Sequence, residues 1–252
     1  MTANIKKSTR YQLSDVKKAL IIYYIIITAI QVLNWVISLI IRSSTPTILV
    51  VGNSSTVDMT STFFLFVIGL CTFKENFGML LQNGFSRRSV LTGRLLSYGV
   101  MALVMTVVDR VLTLLFNLIG KAVGGFANVT AFELSYGPGG FGWQMLGLLY
   151  TLLLYLEMLL MGYCISLMFY RLSKLGKVLV GAGVPVLVLI VGPVLDLNFT
   201  GGKVYTAIGQ FFMVAFGYAD NQPWYAVITL TVISLLASLC AWLMMRRATV
   251  RK

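Results

Sequence analysis

The chain contains no histidine, only eight acidic residues in 252, and three cysteines without metal-ligand spacing. Without histidine, zinc sites of the H-E-x-x-H kind and Ser-His-Asp triads are excluded. Neither a G-x-S-x-G string nor a G-x-x-x-x-G-K-[ST] phosphate loop occurs. The glycine-rich string YGPGGFG at 136–142 lacks the preceding strand and following helix of a nucleotide cradle and reads as a turn-rich loop. Cys71, Cys164 and Cys240 lie inside apolar runs, so they read as single buried thiols. Charge is scarce: 11% of residues are charged, where soluble domains carry roughly 25%. No polar stretch is long enough to fold as a separate ATPase or other globular domain. The chain is therefore expected not to be an enzyme and to bind no cofactor or metal.

What is present is apolar sequence, 58% of the residues, with a mean hydropathy of +0.87. This composition marks an all-α integral membrane protein forming a single transmembrane domain over 1–252. A net charge of +12 would suit nucleic acid, but the basic residues lie between apolar runs, where they set topology. Six spans are expected, at about 19–41, 61–73, 95–119, 143–170, 178–195 and 224–245. The second is short as written and either starts near Val57 or continues into residues 77–81.

With six spans the N-terminus, the 74–94 loop, the 171–177 turn and the C-terminus share one side and hold sixteen lysines and arginines. The opposite side holds Arg42, Lys121 and Lys203. Lysine and arginine accumulate on the cytoplasmic side, so both termini are expected there. Trp143, Trp224 and Tyr225 fall at the outer boundary, where an aromatic belt belongs. The polar N-terminus is too long for a signal-peptide n-region and is expected to be retained. Residues 1–18 carry Lys6, Lys7, Arg10, Lys17 and Lys18, with Tyr11, Leu13 and Val16 placed for an interfacial helix. In the outer loop 196–223, the piece VYTAIGQFFMVAF at 204–216 covers roughly 20 Å as a helix, too short to cross. It reads as a re-entrant or interfacial element, or as an outer loop that is merely apolar.

The loop 74–94, KENFGMLLQNGFSRRSVLTGR, is the most informative stretch. Phe77, Leu80 and Leu81 share one face of a short helix. Asn83-Gly84 is a helix stop, and Ser86 is placed to N-cap the next helix. A helix, a stop and a restart at a membrane face suit a docking element; the plain alternative is a loop tethered to anionic lipid by its arginines. Asp109, Arg110 and Glu157 fall within spans, where ionisable groups are costly and face a bundle interior. Counting residues puts Arg110 and Glu157 within reach of each other, as an internal ion pair or as a polar patch in a substrate path. Pro185 and Pro193, with nearby glycines, are expected to kink the fifth span, as a gate or only for packing.

This order of parts, together with GFSRRSVLTGR at 84–94, resembles the type-2 ABC exporter permeases, in the small bacterial form without its own ATPase. The likeness covers nearly the whole chain as architecture. It implies a short cytoplasmic coupling helix over about Glu75–Gln82, with docking by Glu75, Phe77, Leu80, Leu81, Arg87 and Arg88. It also implies two separate ABC ATP-binding subunits carrying ATP and magnesium, and a second copy of this permease or a related one. The setting would be a bacterial cell membrane, with membrane lipid as a further partner and no nucleic acid. Members export peptides, antimicrobials, lipids or glycans or confer immunity, and a peptide, antimicrobial or amphipathic substrate is the expectation here. Two other classes remain: a non-transporting scaffold or sensor, and the substrate-capturing component of an energy-coupling-factor importer.

Overall fold

The computed structural model describes residues 2–44, 57–123 and 128–246, in which every regular element is a helix. Six helices are long and apolar enough to cross a membrane. They are α1 (Thr2–Ser44), α2 (Val57–Gln82), α3 (Arg87–Val123), α5 (Phe141–Arg171), α6 (Lys174–Phe199) and α8 (Pro223–Arg246). There are two shorter helices, α4 (Ala131–Tyr136) and α7 (Lys203–Ala215), and α4 meets the turn that follows α7 through Tyr136. The polar stretch 42–60 expected between the first two spans lies mostly outside the described residues.

Several spans are longer than their apolar cores. The basic segment 2–18 is not a separate helix; it is the start of α1, and one side of it packs on protein. Ser8 and Gln12 are fully buried there, and Gln12 donates to the Val90 carbonyl while Thr9 donates to that of Gly93. Val16 is buried, and Asp15 accepts from Asn76. The exposed lysines and arginine of the segment point away from this polar seam. Likewise the second span is unbroken through Gln82, so the expected separate coupling helix is the last two turns of α2. Between Phe73 and Gln82 only Asn76 and Gly78 are markedly poor helix formers, and packing of that face on α5 carries the helix through them.

α2 and α5 form the densest contact. They cross at Gly69 and Gly162, where an added Cβ would meet the main chain of the other helix. Below that crossing Phe73 stacks on Phe77 and meets Tyr163 and Tyr170 edge-on. α8 lies along α5 through small residues, Ala226, Ala237 and Ala241, and the Cys164 thiol donates to the Ala237 carbonyl. Small side chains allow such close approach where no hydrophobic driving force separates protein from lipid. Cys71 and Cys240 are exposed on the bundle surface, not buried as their apolar settings suggested.

α6 is the most apolar span and is exposed on nearly all sides. Its prolines are absorbed without ending the helix: wide π turns at Leu179–Gly183 and Leu187–Val191 directly precede Val184-Pro185 and Gly192-Pro193. A proline ring collides with the carbonyl four residues back, and the wider turn removes that conflict. The turn into α7 is built by Asp196, whose carboxylate accepts from Thr200 and from the Val204 and Tyr205 amides. Gly201 and Gly202 supply the positive φ the turn requires. α7 then runs beside its neighbours: Tyr205 donates to the Val188 carbonyl on α6 and Thr229 of α8 to that of Ala215.

Candidate functional site

The hairpin between α2 and α3 is built as its residues dictate. The Phe85 amide donates to the Leu80 carbonyl and Gly84 to that of Leu81, closing a Schellman turn with Gly84 at φ +78°. Leu80 is buried, with Phe85 packed on the same core. Ser86 then caps α3, its Oγ accepting from the Ser89 amide.

The side chains read as docking residues do not all face outward. Phe77 and Leu80 are 2% and 3% exposed and pack into the α2–α5 aromatic cluster, with Leu81 half-buried against it. The i, i+3, i+4 face is therefore the core face of α2, and the expected apolar knob is not presented. Glu75 lies on α2 but its side chain is outside the described residues. What the tip does expose is Met79, Gln82, Asn83 and Arg88. Arg87, also exposed, reaches across to donate to the Arg246 carbonyl at the end of α8. Arg94, the last residue of the 74–94 loop, is buried: it donates to the Thr72 carbonyl and lies over the Tyr98 ring.

The charges expected within the spans form a different arrangement from the expected pair. Arg110 donates to Gln144 near the start of α5, whereas Glu157 lies thirteen residues further along that helix, roughly 20 Å away. Arg110 and Glu157 are therefore not partners. Arg110 thus lies level with the start of α5, and α3 continues thirteen residues beyond it to Val123. Glu157 is buried with one carboxylate oxygen unpartnered, and Ser234 of α8 has a buried, unpartnered hydroxyl.

Asp109 is fully buried and accepts from Tyr24 at 2.9 Å and Tyr155 at 2.5 Å, which joins α1, α3 and α5. Tyr23 meets Ser61 at 2.6 Å and brings α2 into the same layer. A carboxylate that takes two tyrosine hydroxyls in a buried layer acts as a tie between helices.

Two site residues escaped the sequence reading. Asp58, assigned to an outer polar stretch, lies buried in the first turn of α2 and accepts the Ala131 amide of α4 at 3.0 Å. Glu133 completes a capping box with Thr130 and also accepts from Gln144 at 2.7 Å. The string T-A-F-E at 130–133 is a capping-box signal that could have located α4. Partial burial raises the Glu133 carboxyl, but hydrogen bonds from Gln144 and Thr130 and the nearby Arg110 charge outweigh it and hold it below the ordinary value of 4.5. Arg110, Thr113, Asn117, Glu133 and Gln144 line a cavity of about 320 Å³ beside α4.

The described residues hold no cluster of three or more histidine, cysteine, aspartate or glutamate side chains that could bind a metal. No known protein family matches the chain, and no curated protein or solved structure does. Fold and site define an all-helical chain with six candidate membrane spans, a buried polar layer, and one hairpin projecting at the arginine-rich end of the bundle.

Proposed function

We propose that the chain is the membrane-spanning permease subunit of an ATP-driven exporter, working as a pair of permease chains with separate ATP-hydrolysing subunits. The arginine-rich end would be cytoplasmic, as lysine and arginine accumulate on that side. The observation that carries the reading is the continuity of α2 from Val57 to a capped tip at Gln82, with its middle locked to α5 at Gly69 and Gly162. A force applied at such a tip passes to the core through one rigid rod, where a flexible loop would absorb it. The docking surface is the exposed tip, Met79, Gln82 and Asn83. The substrate is an amphipathic molecule, antimicrobial peptides included, carried out of a bacterial cell.

The test is purification of the full chain from its native membrane in mild detergent. An ATP-hydrolysing subunit of roughly domain size should accompany it, and its activity should change when the permease is present. A folded chain that is recovered without any such subunit, in a membrane where it is functional, sinks the reading.

A further inference from the structure

Arginines from three helices converge where α3 begins and α5 and α8 end. Arg87, Arg88, Trp242 and Arg246 line a cavity of about 150 Å³, and Arg171, Leu243 and Arg246 line an adjoining one of about 480 Å³. Arg246 belongs to both and stacks over the Trp242 ring, 5.7 Å from its centroid. Arg87 holds the two helix ends together through the Arg246 carbonyl. No acidic side chain lines either cavity among the described residues.

The charge is also of the wrong sign for the helix that carries part of it. α3 opens on Arg87-Arg88 with no acid in its first turn, although a helix N-terminus favours negative charge. An anion placed between Arg88 and Arg246 would answer both the guanidinium groups and that helix end. Arginine presents its donors in a planar fork that fits phosphate oxygens two at a time.

The surface leading to the cluster is apolar and open. Leu235, Leu239 and Leu243 recur every four residues along α8, each about half exposed or more, and the row ends at Arg246. A ligand that follows this row and finishes on the arginines carries hydrocarbon chain and an anionic group at the end of it. We infer that the cluster of Arg88, Arg171 and Arg246 with Trp242 is a binding site for the phosphate headgroup of an anionic phospholipid, whose acyl chain lies along Leu235, Leu239 and Leu243. The inference stands on this end of the bundle alone and does not depend on the exporter reading.

The test uses the full chain, freed of lipid in a neutral detergent. Phosphatidylglycerol, cardiolipin, phosphatidylcholine and inorganic phosphate are titrated in turn, with bound lipid counted by native mass spectrometry and thermal unfolding followed in parallel. Phosphatidylglycerol and cardiolipin should remain bound and raise the unfolding temperature, an effect that weakens with added salt, while phosphatidylcholine should not. The Arg171→Gln, Arg246→Gln double variant should bind phosphatidylglycerol on the order of tenfold more weakly or worse. The Arg171→Lys, Arg246→Lys variant should keep part of the binding. Equal retention of phosphatidylcholine, an equal shift from inorganic phosphate, or undiminished binding by the glutamine variant would each overturn the site. Because the lipid and salt arms are read on the unaltered protein, they decide the matter even if a variant does not fold.

Discussion

Gly69 on α2 and Gly162 on α5 lie against each other where the two helices cross: a Cβ on Gly69 would stand 2.5 Å from the Leu159 carbonyl oxygen. A Cβ on Gly162 would fall on the Phe66 carbonyl. These are main-chain obstacles, so no rotamer change can relieve them. Gly162→Leu should wedge the helices apart and lower the unfolding temperature of the purified protein by the equivalent of about 1–3 kcal/mol or more. Gly78→Ala, on the same α2 where a Cβ meets nothing within 4 Å, should be neutral or slightly stabilising. Equal unfolding temperatures for Gly162→Leu and the parent protein would remove the crossing as a determinant of packing.

The hairpin tip separates folding from docking. Leu80 is buried, so Leu80→Asp places a charge in the core and should cost several kcal/mol, seen as loss of folded protein in detergent. Met79 is 49% exposed and its sulfur accepts from the Tyr11 hydroxyl of α1, so Met79→Asp should cost no more than about 1 kcal/mol in unfolding while weakening co-purification of the ATP-hydrolysing subunit. If Met79→Asp combined with Gln82→Glu leaves that association intact, the tip is not the docking surface.

The Asp109 tie can be measured by a double-mutant cycle. Tyr155→Phe deletes one of two hydroxyls donated to Asp109 and should cost about 1–3 kcal/mol, because the carboxylate stays buried. Asp109→Ala should cost more, because it also frees the Tyr24 hydroxyl, and the double variant less than the sum, since both changes remove the Tyr155–Asp109 bond. Strict additivity in thermal unfolding would show that the two side chains do not stabilise each other.

Glu133 makes the α4 cap sensitive to acid. Its folded value lies below the ordinary 4.5, so its contribution is present above that value and is lost as pH falls through the folded value. Trp143 packs on Phe132 and donates to the Gly137 carbonyl, so its fluorescence reports on α4 once the other tryptophans are replaced by phenylalanine. The signal should change below about pH 4.5 in the parent protein, and Glu133→Gln should remove that transition. A transition of the same midpoint in Glu133→Gln would assign it to another group.

Sidedness follows from thiol labelling in a cysteine-free background. Asn83→Cys and Ser173→Cys should stay unreactive toward an impermeant reagent on intact cells, and Leu134→Cys and Asn221→Cys should react. Labelling of Asn83→Cys from outside reverses the orientation and removes the docking argument.

Local signals in the chain were legible where the physics is local. The six apolar runs, the stop at Asn83-Gly84 and the Ser86 cap each depend on a few neighbouring residues, and each is found as read. The capping box at Thr130–Glu133 was equally local and was overlooked. Residue counting failed for Arg110 because it took the ends of the two helices as level, whereas Arg110 meets Gln144 at the start of α5 while α3 runs on thirteen residues past it to Val123.

By itself the sequence determined that this is a helical chain rich enough in apolar residues for six spans, since hydrophobicity and helix length are properties of single segments. Which face of a segment is buried depends on what the rest of the chain brings against it. Phe77 and Leu80 read as an outward stripe until α5 supplies Tyr163 and Tyr170 to cover that side of α2. Asp109 reads as an isolated charge until two other helices deliver Tyr24 and Tyr155. Those meetings join residues 46 or more positions apart, and only the tertiary packing of the helices decided them.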